Sequence, residues 1–444
     1  SKYDNQIRFD KFNFRSNVDI DITKSTTLAL SLSTQYYTKT TPGYDLGEIY
    51  AYTMYSTPIA SPPVFSDGTL SNPDGGWNPY RMLNSSGYKR ATNIVAQSLI
   101  SLTQDFSDII TKGLKANVKY SWDADNGNVL GRLLSPTLYY TIGRDDDGNL
   151  IYKPWNEGTN YMYLSKSNSS YTTTNLEASL TYEREFNYAH NVSGLLLFST
   201  RNRYNNVPAN FEQSFAYKNM GLAGRATYSY KDRYFGEFNF GYNGSENFAK
   251  HNRFGFFPAY SAAWNLGEEP WIRKVAPWID MFKIRYSYGK VGNDYLSTRF
   301  PFQGRFMTDD NDRYIFGDFG TSNYTYNGIS YLMLANKDIT WEVARKHDIG
   351  IDFYLFGNKF SGTIDYFRET RDGIFMTRNY LPQIIGVSNS QQPSANIGKV
   401  RSTGVDGNIA YTEKIGQVNL TVRGNFTYSK SKILEYDEQY SHYA

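Results

Sequence analysis

Hydrophobic and polar residues alternate with a period of two along most of this chain, most clearly in the segment 346–371. A period of two is the side-chain repeat of a β-strand, because successive side chains point to opposite faces. The pair Gly357-Asn358 interrupts the alternation, and these residue types tolerate the positive φ that a tight turn requires. The segment therefore predicts a β-hairpin whose arms of about ten residues are long enough to cross a bilayer when tilted. Its apolar face comprises Ile349, Ile351, Phe353, Leu355, Phe360, Gly362, Ile364 and Tyr366.

The same unit recurs along the chain and predicts roughly fourteen strands. Short links alternate with long polar ones, of which the longest are 37–89, 124–173 and 290–339. A membrane barrel has short periplasmic turns and long extracellular loops. A sandwich has no reason to place its long loops at one end, and a propeller needs a repeat of about 40–50 residues. We therefore predict an all-β fold, a transmembrane antiparallel β-barrel whose apolar faces contact lipid and whose polar faces line a water-filled lumen.

The composition agrees with a membrane barrel and excludes several other classes. Aromatic residues make up 17% of the 444 residues, as expected for pleated surfaces and interface girdles. The 46 Lys and Arg residues nearly balance the 43 Asp and Glu residues, so we expect no nucleic-acid partner. The lack of cysteine excludes thiolate metal sites. A mean hydropathy of −0.57 does not argue for a soluble protein, because only every second residue of a barrel strand is apolar.

Three stretches resemble SusC-family TonB-dependent transporters of Bacteroidetes. Residues 242–271 read YNGSENFAKHNRFGFFPAYSAAWNLGEEPW, residues 334–353 read LANKDITWEVARKHDIGIDF, and residues 396–411 read NIGKVRSTGVDGNIAY. Their order and spacing also match, densely over 220–435 and loosely before it. The resemblance implies part of a roughly 22-stranded barrel in a Gram-negative outer membrane. It also implies a SusD-like surface lipoprotein as partner, energy from the TonB complex, and contact with outer-membrane lipid.

The ends of the chain lead to a further expectation. The opening SKYDNQIRFDKF has no apolar segment of the kind found in a signal peptide, and the strand pattern is already present near both ends. We expect residues 1–444 to be one partial barrel domain of a longer protein. Compared with the family that it resembles, the chain lacks the N-terminal plug, through which TonB would act, and the final C-terminal strands.

No motif for covalent or metal chemistry stands out, so we predict neither an enzyme nor a cofactor or metal. The four histidines, His190, His251, His347 and His442, form no metal-ligand pair, which favours structural or solvated roles. The run from Asp145 to Asn149 resembles the start of a calcium loop, but an EF-hand needs a glutamate where Asn156 stands. A hairpin turn is the favoured interpretation of this run.

Two sets of residues are candidate ligand-binding positions. Aromatic side chains in the presumed outer loops could stack on sugar rings, although packing of the loops is the favoured alternative. Polar residues on the inner faces could line the lumen or bind a plug, and simple solvation and pairing within the barrel wall is again the favoured alternative. The aromatic set is Trp77, Tyr80, Trp155 and Tyr161. The lumen set is Arg15, Asp19, Arg225, Glu237, Asp352 and Asp365.

The sequence thus predicts active import of a large nutrient across the outer membrane, with an oligosaccharide or a peptide as ligand. The barrel follows from the residue pattern, and the transport mechanism from the resemblance. The alternative from another class is a secreted carbohydrate-binding β-protein that does not transport. A glycoside hydrolase is a weaker third option, because no spacing in the sequence reveals a facing pair of carboxylates.

Overall fold

A computed structural model describes residues 7–57, 62–72, 77–316, 324–378 and 392–438. In chain order, its strands are β1 Arg8–Thr23, β2 Thr26–Pro42, β3 Gly87–Asp105, β4 Leu114–Leu133, β5 Leu138–Arg144, β6 Leu150–Asn156, β7 Tyr163–Phe186, β8 His190–Asn205, β9 Tyr217–Tyr230, β10 Tyr234–Ser245, β11 Phe254–Asn265, β12 Ile279–Asn293, β13 Arg305–Phe316, β14 Tyr324–Met333, β15 Glu342–Leu355, β16 Phe360–Thr377, β17 Ser394–Ile415 and β18 Val418–Glu435. The helices are α1 Leu46–Tyr55, α2 Pro79–Asn84 and α3 Pro270–Val275. None of the helices in the described ranges is long and apolar enough to cross a membrane.

Fourteen of these strands form one antiparallel sheet, in the order β1-β2-β3-β4-β7-β8-β9-β10-β11-β12-β15-β16-β17-β18. The sheet is a meander, because the order of its strands in space is their order along the chain. The remaining four strands form two separate hairpins, β5–β6 and β13–β14. The all-β class and the large antiparallel sheet predicted from the alternation are therefore confirmed.

The register aligns most apolar residues of the fourteen strands on one side of the sheet, which we call the apolar face. At one end Leu30 lies opposite both Val18 and Ile100. At the other end Ile349 lies opposite Tyr286 and Tyr366. Ile349 is 50% exposed and Tyr366 is 48% exposed. A continuous exposed surface of this kind has no counterpart on a water-soluble monomer, and it matches the lipid-facing wall of a barrel.

The opposite side of the sheet, which we call the polar face, carries the charged and hydroxyl side chains. Asp19 lies opposite Ala29, and Ala29 lies opposite Ser101. Arg225 lies opposite Asn239 and pairs diagonally with Glu237. Because side chains alternate between the two faces of a strand, a shift of one residue in the register would exchange these groups for apolar ones.

Short and long links lie at opposite ends of the sheet. The short links are 24–25, 106–113, 187–189, 231–233, 266–278, 356–359 and 416–417, while the links at the other end include 43–86, 134–162 and 294–341. In the predicted turn after β15, φ is +59° at Phe356, +68° at Gly357 and +62° at Asn358. The Gly-Asn pair thus occupies the left-handed region for which it was singled out.

Several strands are longer at the long-loop end than the sequence pattern predicts. The predicted loop 124–173 is in part strand, because β4 continues to Leu133 and β7 begins at Tyr163. Asn126, Gly127 and Asn128 lie in this predicted loop, yet they pair with the segment 168–170. Backbone pairing continues there because polar side chains on both faces are compatible with a strand that projects beyond the bilayer. The predicted loop 290–339 likewise contains the hairpin β13–β14.

A small apolar core lies on the polar face near the long-loop end. It consists of Phe248, Phe257, Ile339 and Trp341. The Trp341 ring lies 5.2 Å from both phenylalanine rings, measured between centroids. A Cβ at Gly292 would lie 2.0 Å from the Phe257 ring, so glycine is required for this contact. The core anchors the segment before β15 against the sheet.

At the short-link end, Glu269 joins β10, β11 and the link that follows β11. Its carboxylate accepts hydrogen bonds from the Tyr234 hydroxyl at 2.7 Å and from the Trp264 indole nitrogen at 3.0 Å. The bond from Tyr234, followed by that from Trp264, holds the pKa of Glu269 below its usual value. Aromatic residues with a polar partner at this level are typical of an interface girdle.

Candidate functional site

The polar face carries a charged cluster centred on Arg285 of β12. Its guanidinium contacts Asp348 at 3.3 Å and Asp352 at 3.1 Å, both on β15. It also contacts Asp365 on β16 at 2.7 Å. Charge-assisted bonds of this kind are about twice as strong as neutral ones. Three carboxylates share one guanidinium, so the cluster has an excess of negative charge on the inner wall.

A glycine makes this cluster possible. Gly350 lies between Arg285 and Asp365 in the register of β12, β15 and β16. A Cβ at Gly350 would lie 2.2 Å from the Asp365 carboxylate and 2.5 Å from the Arg285 guanidinium carbon. Gly350, in the sequence Ile-Gly-Ile-Asp of residues 349–352, thus leaves the space through which the Arg285 side chain reaches across β15 to Asp365 on β16.

A cavity of about 700 Å³ extends from this cluster towards the short-link end. An ion pair between Arg225 and Glu237, at 3.0 Å, lies in its wall. The Lys283 ammonium lies 4.2 Å from the centroid of the Phe235 ring, a distance at which cation–π attraction operates. The wall therefore presents both signs of charge on rigid strands.

A second cavity of about 760 Å³ lies nearer the long-loop end. Side chains of β4, β7 and β8 line it together with the segment before β15; they include Lys119, Glu177, Arg201 and Trp341. Leu99 of β3 and Gly292 of β12 also line it, and these strands are far apart in the sheet order, so the polar face is concave. A concave wall with charged groups, amides and hydroxyls binds polar ligands by hydrogen bonds and needs no covalent chemistry.

The six predicted lumen residues all lie on the polar face, but only four of them belong to its charged clusters. Arg225 and Glu237 pair with each other, and Asp352 and Asp365 both contact Arg285. The other two, Arg15 and Asp19, are exposed on β1 opposite Ser33 and Ala29. Arg285 itself was not predicted, although its place between the apolar Ile284 and Tyr286 marks it as inward-facing.

The four predicted aromatic residues lie at the long-loop end and do not converge on one site. Trp77 stacks on Tyr52 of α1, with ring centroids 4.3 Å apart. Trp155 meets Tyr140 edge-on at 6.4 Å within the hairpin β5–β6. Tyr80, on α2, and Tyr161 are both exposed. Each tryptophan thus has one aromatic neighbour within the loops, and Trp155 remains 59% exposed.

The first two long links form one assembly. The Tyr139 amide donates to the Leu70 carbonyl at 3.0 Å, and the Phe65 and Tyr152 rings lie 5.2 Å apart. The carboxylate of Asp67 accepts from the Thr69 amide at 2.9 Å. This bond, with a smaller contribution from the Tyr152 hydroxyl, lowers the pKa of Asp67. These contacts join the two links at the end of the sheet where they would meet a ligand or partner from outside.

The run from Asp145 to Asn149, which resembles the start of a calcium loop, is the turn between β5 and β6. Asp145 accepts a hydrogen bond from the Asn149 backbone amide at 2.7 Å, and Gly148 has a φ of +84°. The bonds from Asn149 lower the pKa of Asp145. This geometry matches the hairpin turn favoured by the sequence. Within the described ranges, no three His, Cys, Asp or Glu side chains are arranged to hold a metal ion.

Two of the histidines lie on the apolar face, next to tyrosine hydroxyls. His190 Nδ1 lies 2.8 Å from the Tyr228 hydroxyl, and His347 Nδ1 lies 3.1 Å from the Tyr286 hydroxyl. These contacts are compatible with the structural or solvated roles that the sequence favours for the histidines. His442 lies outside the described residues.

Comparison with known proteins places this architecture in a family. The family model described as "TonB dependent receptor-like, beta-barrel" matches residues 36–442. TonB-dependent receptor P3 of Formosa agariphila is 25% identical over 95% of this chain and 42% of its own length. TonB-dependent receptor SusC of Bacteroides thetaiotaomicron is 29% identical over 41% of this chain and 17% of its own length. The chain therefore spans less than half the length of these relatives.

Solved structures agree with this assignment at the level of the fold. The RagAB peptide importer in its open-open state superimposes with a TM-score of 0.70 at 15% identity, over 96% of this chain and 46% of that one. The siderophore receptor PirA of Acinetobacter baumannii superimposes with a TM-score of 0.52 at 10% identity, over 96% of this chain and 53% of that one. The two-faced meander, its charged concave wall and the family match together lead to one conclusion: the chain belongs to the TonB-dependent receptor-like β-barrel family, whose members are outer-membrane proteins.

Proposed function

We propose that this chain forms the barrel wall of a SusC-like importer that moves a large nutrient across the outer membrane. The observation that carries the proposal is the fourteen-strand sheet with a lipid-compatible side and a concave charged side. Such a wall suits a solute too large and too polar for the bilayer. Arg225, Glu237, Asp352 and Asp365 line the water-filled side, and Arg15 and Asp19 extend that side to β1.

The ligand is an oligosaccharide or a peptide in this proposal. The likeness to SusC supports the family of the importer, and the RagAB structures are titled as those of a peptide importer. A mixture of carboxylates, guanidinium groups and amides on the inner wall is compatible with either ligand. A SusD-like lipoprotein would capture the ligand from outside, and the TonB complex would supply energy. No covalent step is required, so the chain is not proposed as an enzyme.

The experiment is complementation in a strain whose gene for the full receptor is deleted. Growth is measured on single oligosaccharides and peptides, with the intact gene, without it, and with the gene in a strain that lacks TonB. We expect growth on at least one large nutrient to need both the receptor and TonB, with monosaccharides and free amino acids unaffected. Unchanged growth on every large nutrient after deletion would contradict the proposal. A product that is monodisperse without detergent would favour the secreted binding protein instead.

Trp77, Tyr80, Trp155 and Tyr161 are proposed to contact the ligand at the outer entrance. Aromatic contacts contribute about 0.5–1.5 kcal/mol beyond area burial, so Trp155→Ala should weaken binding roughly two- to tenfold. Trp278→Ala is the matched control, because Trp278 is a similarly exposed tryptophan in the link at the opposite end of the sheet. Equal affinity of the two variants for the identified nutrient would remove Trp155 from the binding site.

A further inference from the structure

A cavity of about 730 Å³ lies on the outer side of the sheet, where the transport function has no use for it. Thr200, Lys218, Met220 and Phe254 contribute to its wall. In the register, Met220 lies opposite Thr200 and Gly244, and Gly244 lies opposite Phe254. This row lies one step beyond the row of Phe198, Leu222, Tyr242 and Phe256 on the apolar face. The cavity is thus a continuation of the lipid-facing surface.

The position of the cavity along the strands places it at the outer edge of the bilayer. Met220 is separated from the short turn at 231–233 by about eleven residues of β9, which correspond to a height of about 28 Å at a tilt of about 40°. The apolar band of such barrels is about 25 Å tall. Met220 therefore lies where acyl chains end and headgroups begin.

Aromatic residues from two links close the cavity from above. Its apolar lining consists of Phe211 and Phe215 after β8, Phe300 and Phe302 after β12, and Met220 and Phe254 on the sheet. The rings of Phe211 and Phe215 are 5.0 Å apart, and those of Phe215 and Phe300 are 5.9 Å apart. These rings give the cavity an apolar side, and its place on the lipid-facing surface brings hydrocarbon chains within reach of that side.

Arg299 holds the two links in place, so the cavity is preformed. Its guanidinium donates to the carbonyls of Glu212 at 2.9 Å, Phe215 at 2.8 Å and Ala216 at 3.0 Å. It also pairs with the Glu246 carboxylate at 2.5 Å. The side chain of Arg299 is only 10% exposed, and each bond joins elements distant in sequence. A preformed site avoids the entropy cost of ordering its walls on binding.

The charges at the cavity are those that an anionic headgroup would meet. Lys218 and Arg253 line it, whereas the one carboxylate in its wall, that of Glu246, is already paired with Arg299. A basic residue near a membrane surface attracts anionic lipid. We propose that this cavity is a specific site for one anionic membrane lipid, which inserts an acyl chain among the phenylalanines and places its headgroup beside Lys218 and Arg253.

The test is native mass spectrometry of the full receptor, released from neutral detergent after titration with defined lipids. The probes are phosphatidylglycerol, phosphatidylcholine with the same chains, and inorganic phosphate. We expect one phosphatidylglycerol molecule to stay bound at collision energies that remove the others. The double change Phe215→Ser and Phe302→Ser should lower its affinity at least tenfold, because it removes two walls without touching the sheet. The control is Tyr50→Ser with Tyr55→Ser, two exposed aromatics of α1 outside the cavity.

A second pair of variants tests the headgroup contact. Lys218→Gln should lower the affinity for phosphatidylglycerol roughly fivefold and leave that for phosphatidylcholine unchanged. Arg90→Gln is the control. Arg90 is an exposed cation on the same face of the sheet as Lys218, but it lies on β3, far from the cavity. The proposal is overturned by retention of lipid in the double variant, by equal affinity for the two lipids, or by displacement of the lipid by inorganic phosphate. A lipid-free dimer of twice the mass would also overturn it, since a second copy would then cover the cavity.

Discussion

The assignment of the two faces can be tested with one pair of arginine substitutions. Ile364 lies on the apolar face of β16, opposite Gly407 of β17. The next residue of β17, Asn408, lies on the polar face at almost the same height. Ile364→Arg should therefore place a guanidinium in lipid, whereas Asn408→Arg should place it in the water-filled lumen.

The structure sets the expected size of the effect. Ile364 is about five residues beyond the turn at 356–359, which corresponds to about 13 Å of height for a strand tilted by about 40°. This is close to half of the roughly 25 Å apolar band, so Ile364 lies near the bilayer midplane. Arginine at that depth costs about 2–4 kcal/mol. Asn408→Arg should change the free energy of unfolding by less than about 0.5 kcal/mol, as is usual for a solvated position.

The assay is unfolding of the receptor in lipid vesicles by urea, followed by tryptophan fluorescence and by the heat-dependent shift in electrophoretic mobility. Ile364→Arg should lower the urea midpoint and reduce the folded fraction, and Asn408→Arg should behave like the wild type. Equal destabilisation by the two variants, or a larger effect at Asn408, would refute the assignment of the faces and with it the barrel orientation.

Three further outcomes are expected. Arg285→Met should lower the free energy of unfolding by about 1–3 kcal/mol, a range reduced because the Arg285 side chain is 33% exposed. The added change Asp365→Asn should recover part of this loss. No recovery would argue against repulsion among the carboxylates that Arg285 leaves unpaired. Glu269→Gln should lower the urea midpoint at neutral pH. A carboxyl group with a depressed pKa stabilises the fold only while it is ionised. The difference from wild type should therefore vanish as the pH falls through the lowered pKa of Glu269. Asp145→Ala should speed hydrogen exchange at the Asn149 amide. In the wild type, protection of this amide should persist to a pH below the usual range of aspartate pKa values, because the pKa of Asp145 is lowered. Unchanged exchange in the variant would show that Asp145 does not hold the turn.

The strands and their faces were accessible from the sequence because both are local properties. Side-chain direction alternates residue by residue, so Ile349 and Asp348 are assigned to opposite faces without knowledge of any partner strand. The turn at Gly357-Asn358 was predictable for the same reason, since positive φ is a property of single residues. Strand ends were less accessible. Gly127 and its neighbours lie in a predicted loop, yet pairing with β7 keeps them in a strand.

The charged clusters and the outer cavity depend on contacts that no local pattern encodes. Arg285 meets Asp365 across two strand pairings and 80 positions of sequence, and Gly350 between them matters only once the register is known. Arg299 likewise joins links that follow β8 and β12. The sequence by itself therefore determined the strands, their two faces and the family. Only the tertiary structure decided which polar residues share an ion cluster and which aromatic residues enclose a cavity, because these depend on register and curvature summed over many strands.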